Sequence, residues 1–514
     1  MKCLFVASEV VPYAKTGGLA DVAGALPKEL REQGLDVRVV MPYYRQIKGK
    51  IDEDKAKLDI WYTVNFSWRT QGVDVLYDET HVPTYFLKND MYFDRDALYG
   101  YDDDCERFAY FCRAVVELLT KIDFIPDVIH CNDWQTGPIA LMIKEQYQWD
   151  QKYQNIKTVF TIHNMKYQGI FGKEALDMLW LSDAYMTPDK LEFNGGVSFM
   201  KAGLMYADHI NTVSPTYAEE LKTWQYGCGL DSLIREVLYW KTSGILNGID
   251  TDRYNPETDA HIYEHYNADS IEKKKINKEK FREEFGLAQD GSMMVAIISR
   301  LTNQKGLDLM KHTVQGQWFM DKLMSLGIQF VVLGTGDDEY ENMFKHFKWA
   351  YGDRAGVFLE FDESLAQKIY AAADVFLMPS EFEPCGLGQL MAMRYGAVPV
   401  VRQTGGLKDT VIHYNYMTGE GTGFEFAEYS GYWLYEKIAE AHECYTNKPK
   451  DFEKIQHNGM TAAYGWAESA TKYADLYRLI CGKTAAELPV KEVVEDELKS
   501  LDDLDDEVEQ PDVQ

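Results

Sequence analysis

The chain has 514 residues, enough for about two to four domains, and its 46% hydrophobic and 13% aromatic content excludes a mainly disordered protein. A count of 53 basic and 82 acidic residues gives a formal net charge of −29, which opposes nucleic acid or an anionic membrane as the main partner. The eight cysteines form no CxxC pair and no apolar run reaches the length of a signal peptide or a membrane span, so we expect a cytoplasmic protein.

Short apolar runs alternate with segments of helical period along most of the chain. The predicted strands are 3–7, 36–41, 127–131, 156–162, 209–213, 293–299, 328–333, 356–361, 374–379 and 398–401. The predicted helices are 19–33, 104–122, 135–149, 306–324, 363–373 and 386–395. Strands that alternate with helices form parallel sheets, and ten strands are too many for one ordinary open sheet. We therefore predict an α/β fold with two Rossmann-like, doubly wound parallel-sheet domains.

The strand pattern is interrupted at 255–292, a polar stretch that predicts an exposed helical surface. We place the first domain at 1–242 and the second at 243–464, followed by a helix at 465–484. Residues 485–514 hold twelve acidic residues against two lysines and lack an apolar pattern, which predicts a disordered acidic tail.

Ligands of open parallel sheets bind beyond the carboxyl ends of the strands, so the residues that follow each strand are the first candidates. After the first strand come Lys15, Gly17 and Gly18, whose charge and accessible backbone amides suit a phosphate. The alternative is a structural turn with a surface lysine. The pattern TGGLxD occurs at 16–21 and again at 404–409, each time after a strand and before a helix, although six residues can also repeat by chance.

Arg300 follows the strand 293–299, and Lys305 precedes the next helix. Two cations that flank a strand-to-helix loop can bind a diphosphate without a metal. Two solvated charges on a surface loop are the alternative. On a chain with so many acidic residues, the pair favours a small anionic ligand.

Asp133, Trp134 and His163 also follow predicted strands, and this combination suits a sugar, whose hydroxyls need polar partners and whose ring can stack on an aromatic. Glu383 and Cys385 precede the helix 386–395, where a helix-capping carboxylate and a packing thiol are the simpler interpretations.

Two apparent metal motifs are set aside. His261 and His265 lack the glutamate position of the zinc-protease HExxH motif, and their polar segment predicts an exposed helix. Asp102–Asp104 precedes a long helix rather than ending a strand, which predicts a capped, solvated loop. We expect no metal site.

The motifs ASEVVPYAKTGGLADVAGALP, FDRDALYG, HCNDWQTG, HNMKYQG, KAGLMYAD, NTVSPTYAEE, NGIDTDRYNPETD, SRLTNQKG, FEPCGLGQL and TGGLKDTV occur in this order over about residues 1–480. Together they resemble the bacterial and plant starch and glycogen synthases. The resemblance implies GT-B architecture and a retaining transfer of glucose from a nucleoside-diphosphate glucose, with ADP-glucose favoured, to the nonreducing end of an α-1,4-glucan. It also implies that no cofactor is needed. The TGGL loops on the two domains indicate closure over the donor, with hinges near 241–246 and where the last helix, about 465–480, crosses back to the first domain.

The resemblance assigns residues to three groups. The implied donor-binding residues are Lys15, Gly17, Gly18, Asp21, Asn247, Arg300, Lys305, Phe361, Cys385, Thr404, Gly405 and Gly406. The implied catalytic residues are Glu383, His163, Asp133, Arg300 and Lys305. The residues implied near the sugar or the acceptor are Arg95, Tyr99 and Trp134.

Three positions depart from the family pattern: Glu381 replaces a common arginine, Gly388 a threonine, and Glu360–Phe361 a Gly-Tyr pair. Phe361 can stack on a base, but stacking does not separate adenine from uracil, so UDP-glucose stays an alternative donor. A noncatalytic glucan- or nucleotide-sugar-binding protein is a second alternative. A nicotinamide-dependent oxidoreductase lacks its GxGxxG motif here, and a phosphorylase would need a cofactor-bearing lysine.

Overall fold

Two β-sheets organise the chain in this computed structural model, which describes residues 1–483. The first lobe consists of a nine-stranded sheet and its helices, within residues 2–244, together with the last described helix. The second lobe, within residues 249–464, contains a six-stranded sheet. The prediction of two parallel-sheet α/β units is confirmed. The predicted acidic tail, 485–514, lies outside the described residues.

The strands of the first lobe are β1 (Lys2–Val6), β2 (Asp36–Pro42), β3 (Lys57–Phe66), β4 (Arg69–Asp78), β5 (Thr84–Lys88), β6 (Val128–Asn132), β7 (Lys157–Ile162), β8 (Ile170–Phe171), β9 (Glu192–Phe193), β10 (Gly196–Ser198), β11 (His209–Thr212) and β12 (Thr242–Gly244). The large sheet has the order β12-β11-β7-β6-β1-β2-β5-β4-β3, and its strands are parallel except for β4, which is antiparallel to both neighbours. Strands β3 and β4 were not predicted because each has many exposed residues and lacks a continuous apolar run.

The helices of the first lobe are α1 (Gly18–Glu32), α2 (Glu53–Ala56), α3 (Asp90–Phe93), α4 (Asp104–Leu118), α5 (Pro138–Leu141), α6 (Glu174–Met178), α7 (Phe199–Tyr206) and α8 (Pro215–Glu220). The predicted helix 135–149 is divided into a 3-10 turn, α5 and a π-helical turn at Met142–Gln146. Pro138 is the first residue of α5. Proline is tolerated there because the first amides of a helix have no intrahelical acceptor, so its missing N–H is not lost from the helix.

The strands of the second lobe are β13 (Met294–Ile298), β14 (Thr313–Val314), β15 (Gln317–Trp318), β16 (Gln329–Leu333), β17 (Ala355–Phe358), β18 (Val375–Met378), β19 (Val398–Arg402) and β20 (Phe424–Phe426). Its helices, and the last helix of the described chain, are α9 (Lys274–Phe285), α10 (Phe319–Met324), α11 (Asp338–Tyr351), α12 (Glu363–Ala372), α13 (Gly388–Arg394), α14 (Gly405–Thr410), α15 (Gly431–Asn447), α16 (Pro449–Thr461) and α17 (Trp466–Ile480). The sheet order is β17-β16-β13-β18-β19-β20, with all pairs parallel.

The predicted helix 306–324 is wrong over most of its length. A 3-10 turn covers Leu307–Lys311, and the hairpin β14–β15 follows before α10 begins. Gln315 and Gly316 form its turn with φ angles of 53° and 80°. Two consecutive residues in the left-handed region are incompatible with a helix.

The prediction of an exposed helical surface at 255–292 is also corrected. Helix α9 buries one face: the Lys274 ammonium donates to the carbonyls of Tyr370, Ala371 and Tyr395 at 2.8–2.9 Å. The segment containing His261 and His265 is irregular rather than helical. In a sequence, a lysine that is buried and bonded to backbone carbonyls cannot be distinguished from an exposed one, which explains the error.

Helix α17 packs on the first lobe. Trp466, Tyr473 and Tyr477 are buried in the same apolar cluster as β1. The Tyr477 hydroxyl lies 2.6 Å from Nδ1 of His130, and Asn211 Nδ2 donates to the Tyr473 hydroxyl at 2.8 Å. Within residues 1–483, no helix has both the length and the apolar character that crossing a membrane requires.

The chain crosses between the lobes twice at one place. The Ile249 amide donates to the Tyr464 carbonyl at 2.8 Å. A Cβ on Gly248 would lie 2.7 Å from the backbone of Gly465, so the two crossing segments touch directly. This contact leaves no space for a side chain at 248.

Candidate active site

A cleft of about 880 Å³ opens at the carboxyl ends of the central strands of both sheets. Residues from both lobes line it, and they include most of the predicted site residues. Those that line the cleft are Lys15, Gly17, Gly18, Asp21, Tyr99, Asp133, Trp134, His163, Asn247, Arg300, Lys305, Phe361, Glu383 and Cys385. The structure does not bring Arg95, Thr404, Gly405 or Gly406 to this surface.

The wall formed by the second lobe carries two cations. Lys305 ends a 3-10 turn after β13, and its ammonium donates to Glu383 Oε2 at 2.6 Å. The Ser380 hydroxyl donates to the same oxygen at 2.9 Å. In the described part of the chain, the Arg300 guanidinium has neither an ion-pair nor a hydrogen-bond partner. An unpaired cation at a strand end is available for an anionic ligand.

Lys15 belongs to the first lobe but reaches across the cleft. Its ammonium contacts Asp21 at 2.8 Å and Glu363, at the start of α12 in the second lobe, at 3.4 Å. Arg253 pairs with the same Glu363 carboxylate. Burial lowers the pKa of Lys15 and the two carboxylates raise it, with a net increase, so Lys15 keeps its charge.

The first glycine loop already holds a carboxylate of the protein. Glu9 Oε2 accepts the Thr16 amide, the Thr16 hydroxyl at 2.9 Å and the Gly17 amide at 3.3 Å. The Gly17 amide is one of those predicted to bind a phosphate. Burial raises the pKa of Glu9, and the loop amides oppose that rise by stabilising its charged form.

His163 and Asp133 form a rigid pair on the first-lobe wall. The His163 amide donates to Asp133 Oδ1 at 2.7 Å, and Asp133 has a positive φ of 55° that turns its carboxylate toward this amide. His163 Nε2 lies 2.8 Å from Asn132 Oδ1, while Asn132 Nδ2 donates to the Val6 carbonyl. This network assigns the proton to Nε2 and leaves Nδ1 as an acceptor.

Burial controls the protonation of both groups. It lowers the pKa of His163 to about 3, so the imidazole is neutral at neutral pH. It raises the pKa of Asp133 to about 7, although amides of His163 and Asn164 favour the carboxylate. Burial also raises the pKa of Cys385 to about 12, so this thiol is protonated and is a packing group rather than a nucleophile.

Two buried amide oxygens in the cleft have no hydrogen-bond partner among the described residues: Asn247 Oδ1 and Gln135 Oε1. Such oxygens are costly unless a ligand donates to them, and sugar hydroxyls are suitable donors. Trp134 is largely covered. The ring centroids of Phe108 and Trp134 are 5.1 Å apart, and Gly169 lies against the Trp134 ring. Trp134 therefore contributes an edge rather than an open stacking face.

The prediction for Arg95 is corrected. Its guanidinium forms a two-pronged pair with Asp103, with both bonds at 2.6 Å, and stacks on Tyr101. Asp102 is exposed in the turn before α4, as predicted, but Asp104 is buried, accepts the Gly100 amide at 2.8 Å and pairs with the buried Arg107. Arg95 and the aspartates thus fix the chain next to Tyr99.

The prediction that the loop 404–406 presents its amides to the diphosphate is corrected as well. The Gly405 amide donates to Glu220 of the first lobe at 3.0 Å. Gly405 and Gly406 pack against the backbone of Glu383 and Cys385, so close that a Cβ on either would lie about 2 Å from a carbonyl oxygen. The loop supports the cleft from behind.

A smaller pocket of about 220 Å³ adjoins the cleft at Arg300. Phe361 and Tyr370 provide aromatic surface, Glu360 and Glu363 provide acceptors, and Phe361 is 78% exposed, so its ring is free to stack. The size and composition suit a base and its ribose.

Sequence reasoning missed Glu9, Gln135 and Glu363. Each follows or nearly follows a strand, so the rule that singled out Asp133 and Arg300 could have found them. They were passed over because glutamate and glutamine are common on protein surfaces, so their residue type gave no further indication of a site.

Comparisons with known proteins agree with this geometry. A family model described as "Starch synthase catalytic domain" matches residues 2–236, and one described as "Glycosyl transferases group 1" matches residues 277–458. The chain is 47% identical to the glycogen synthase of Clostridium novyi over 490 residues, which cover 94% of this chain and 100% of that protein. It is 49% identical to the glycogen synthase of Anoxybacillus flavithermus over 484 residues, covering 93% of this chain and 97% of that protein.

Solved structures show the same similarity. The catalytic domain of starch synthase IV from Arabidopsis thaliana, bound to ADP and acarbose, matches with a TM-score of 0.86 and 32% identity, covering 94% of this chain and 99% of that one. A sucrose-phosphate synthase from Thermosynechococcus elongatus matches with a TM-score of 0.57 at 18% identity, covering 94% and 99%, which shows a shared fold only.

Proposed function

The chain belongs to the glycogen and starch synthase family of retaining glucosyltransferases, and from this premise we propose that it transfers glucose from ADP-glucose to the nonreducing end of an α-1,4-glucan. The plant relative, which is bound to ADP and acarbose, supports a nucleotide and a sugar as ligands. We carry both ligands over to the cleft described above.

The observation that carries the proposal is the meeting of Arg300, Lys305 and Lys15 in one cleft of an otherwise acidic chain. Breaking the bond between glucose and diphosphate develops negative charge on the phosphate oxygens. Fixed cations at that position lower the barrier because they stabilise this charge without reorganising. Arg300 is unpaired, and Lys305 is held in place by Glu383.

The opposite side of the reaction develops positive charge on the sugar. We assign the Glu383 carboxylate to this region, since Lys305 and Ser380 bind only its Oε2. His163 Nδ1, Asn247 Oδ1 and Gln135 Oε1 are acceptors that can hold glucose hydroxyls. Retention is consistent with attack from the face that the diphosphate leaves, in which a phosphate oxygen takes the proton of the acceptor hydroxyl.

The choice of donor is the finer part of the proposal. We place the adenine in the pocket beside Arg300, where Phe361 can stack on it. The test is a competition between ADP-glucose and UDP-glucose with glycogen as the acceptor. The measured quantity is the amount of ADP and of UDP released. Preferential release of ADP supports the assignment, and preferential release of UDP contradicts it. Failure to incorporate any labelled glucose would instead favour a noncatalytic binding protein.

We also propose the domain boundaries 1–242, 243–464 and 465–484. The burial of α17 in the apolar cluster of the first lobe supports the third segment. We propose the cytoplasm as the compartment, which the eight unpaired cysteines favour because a reducing environment keeps thiols free.

A further inference from the structure

Two short helices from different lobes cap one another. Helix α8 of the first lobe begins at Pro215, and its Thr216 amide donates to Asp409 Oδ2 in α14 of the second lobe at 2.9 Å. The Thr216 hydroxyl donates to Asp409 Oδ1 at 2.6 Å. At the other end, Glu220 of α8 accepts the Gly405 amide at 3.0 Å and the Thr404 hydroxyl at 2.9 Å.

The arrangement is reciprocal and antiparallel. The carboxylate near the end of each helix lies at the beginning of the other, where free amides and the helix dipole favour negative charge. Neither helix has an acidic residue in its own first turn. Thr404 makes no side-chain cap for α14, whereas the Ser214 hydroxyl accepts the Tyr217 amide of α8. Asp409 is the final residue of the second TGGLxD segment, so this motif serves the contact between the lobes.

The pair of helices leads directly to the catalytic segment. The Ser214 hydroxyl, which caps α8, also donates to the Pro384 carbonyl at 2.6 Å. On the α14 side, the Gly406 amide donates to the carbonyls of Glu383 and Pro384, both at 3.2 Å. Both helices therefore hold the backbone that carries the Glu383 side chain.

We infer that Thr216, Glu220 and Asp409 are positioning residues for glucosyl transfer, which set Glu383 in its reactive position only when the two lobes are docked. None of the three lines the cleft. Their effect reaches the reaction through the backbone of residues 383–385, so it is felt in the rate of transfer and not in the affinity for either substrate.

The test compares T216V with T216S. Valine keeps the shape of threonine but removes the hydroxyl bonded to Asp409, whereas serine retains it. We expect T216V to lower kcat about ten-fold, as for a lost hydrogen bond to a charged group, with KM for donor and acceptor changed less than about two-fold. T216S should restore most of the rate. D409A should lower kcat at least as much as T216V, because it removes the acceptor of both the Thr216 hydroxyl and the Thr216 amide. The double variant should lose little more than D409A, because the hydroxyl bond is already absent there.

A matched control is available in D252N. Asp252 pairs with Lys28 across the lobes at 3.5 Å, but both side chains are exposed and lie outside the main cleft. D252N should leave kcat unchanged, since exposed ion pairs contribute little. An equal loss of rate in D252N and T216V would overturn the inference, as would a normal kcat in a folded T216V.

The inference rests on the proposed function, and a second measurement separates the two. Amide hydrogen exchange of a peptide covering 380–390 should be faster in T216V than in wild type and D252N, whether or not the chain transfers glucose. If wild-type protein transfers no glucose, the proposed function fails. If the wild type is active but T216V changes neither the rate nor the exchange, only the inference fails.

Discussion

At the scale of single residues, the central contact of the cleft is the pair formed by Lys305 and Glu383, 2.6 Å apart. Both side chains are largely buried, so each holds the other in one orientation. An ion pair in such surroundings stabilises the fold little, because desolvation opposes the attraction. Under the proposed function its value lies in geometry: the cation would face the leaving phosphate and the carboxylate would face the sugar.

Lys305→Ala should lower kcat by about two to four orders of magnitude, because it removes a cation from the departing diphosphate and frees Glu383 to move. The measurement is the initial rate of glucose incorporation into glycogen at saturating donor. Lys311→Ala is the matched control, since Lys311 lies about two turns further on and pairs with Glu339 away from the cleft. Near-normal turnover of the Lys305 variant would remove this residue from the mechanism.

Asp133→Asn should change stability in a pH-dependent way. The folded pKa of Asp133 is about 7, raised from 3.8 by burial, so the folded protein binds this proton more tightly than the unfolded chain. The contribution of the protonated Asp133 to the free energy of unfolding is therefore full below about pH 4 and is lost as the pH rises to 7. Replacing the charge should thus raise the unfolding temperature, relative to wild type, more at pH 8 than at pH 5.

The expected difference in unfolding free energy is a few kcal/mol at most, measured by thermal or urea unfolding at both pH values. Asp183→Asn is a control, because Asp183 is exposed and pairs only with exposed Lys173. If Asp133→Asn gains the same stability at pH 5 and pH 8, the raised pKa of Asp133 is contradicted.

At the scale of secondary-structure elements, α17 packs against the large sheet of the first lobe and completes its apolar core. Tyr477 and Tyr473 each place a hydroxyl beside a buried polar group of that sheet, His130 and Asn211. Since a buried partner left without a hydrogen bond is costly, these two contacts fix α17 in one register.

Tyr477→Phe should lower the free energy of unfolding by about 1–3 kcal/mol, because His130 Nδ1 loses its partner while the ring still fills its space. Urea denaturation measures the change. Tyr239→Phe, at an exposed tyrosine of the first lobe, should change the stability by less than about 0.5 kcal/mol. Equal stability of wild type and the Tyr477 variant would show that His130 finds another partner.

The sequence predicted several elements whose residues share one kind of environment, although it missed the buried strand β5. Buried parallel strands such as β7 and β16 appear as continuous apolar runs, and α1 and α12 have a regular helical period. Strands β3 and β4 escaped prediction because their exposure varies from residue to residue. The hairpin β14–β15 was mistaken for helix because its turn depends on a glycine inside an otherwise helical pattern.

The site shows the same division. Lys15, Arg300, Lys305 and His163 could be found because they follow strands, and strand ends meet in space. The role of Glu220 could not be read, because it binds the Gly405 amide of the other lobe. Glu9 follows the first strand and could have been found, but only the fold shows that it accepts the Thr16 and Gly17 amides. Tertiary contacts between common residue types leave no local pattern.

At the scale of the whole molecule, the two lobes are joined where the chain crosses twice. The Ile249 amide and the Tyr464 carbonyl link the crossings, and Gly248 lies against Gly465. Any rotation of one lobe relative to the other would turn about this point, because both connections pass through it. We expect the lobes to close over donor and acceptor, which excludes water from the donor sugar.

Gly248→Ala should destabilise the protein by about 1–3 kcal/mol and lower kcat, because its methyl group would push the two crossing segments apart. Gly465→Ala is the matched control: a Cβ there meets only Thr251, at 3.6 Å, an ordinary contact. Differential scanning calorimetry and transfer rates measure both effects. If the two alanine variants behave alike, the close approach at Gly248 does not constrain the crossing.

Closure itself is tested by small-angle X-ray scattering. The radius of gyration should fall when donor and acceptor are both present, because the lobes approach across the cleft. Donor analogue or glucan alone serves as the reference. An unchanged radius with both ligands would contradict closure.

The return of α17 to the first lobe also sets an order for biosynthesis. Residues 245–465 leave the ribosome before the helix that seals the first sheet, so the nascent first lobe stays open along one apolar face while its neighbour folds. Its completion depends on translation of the whole second lobe. A chain arrested between the lobes would expose this apolar face to chaperones, whereas a chain whose α17 has emerged from the ribosome can bury it.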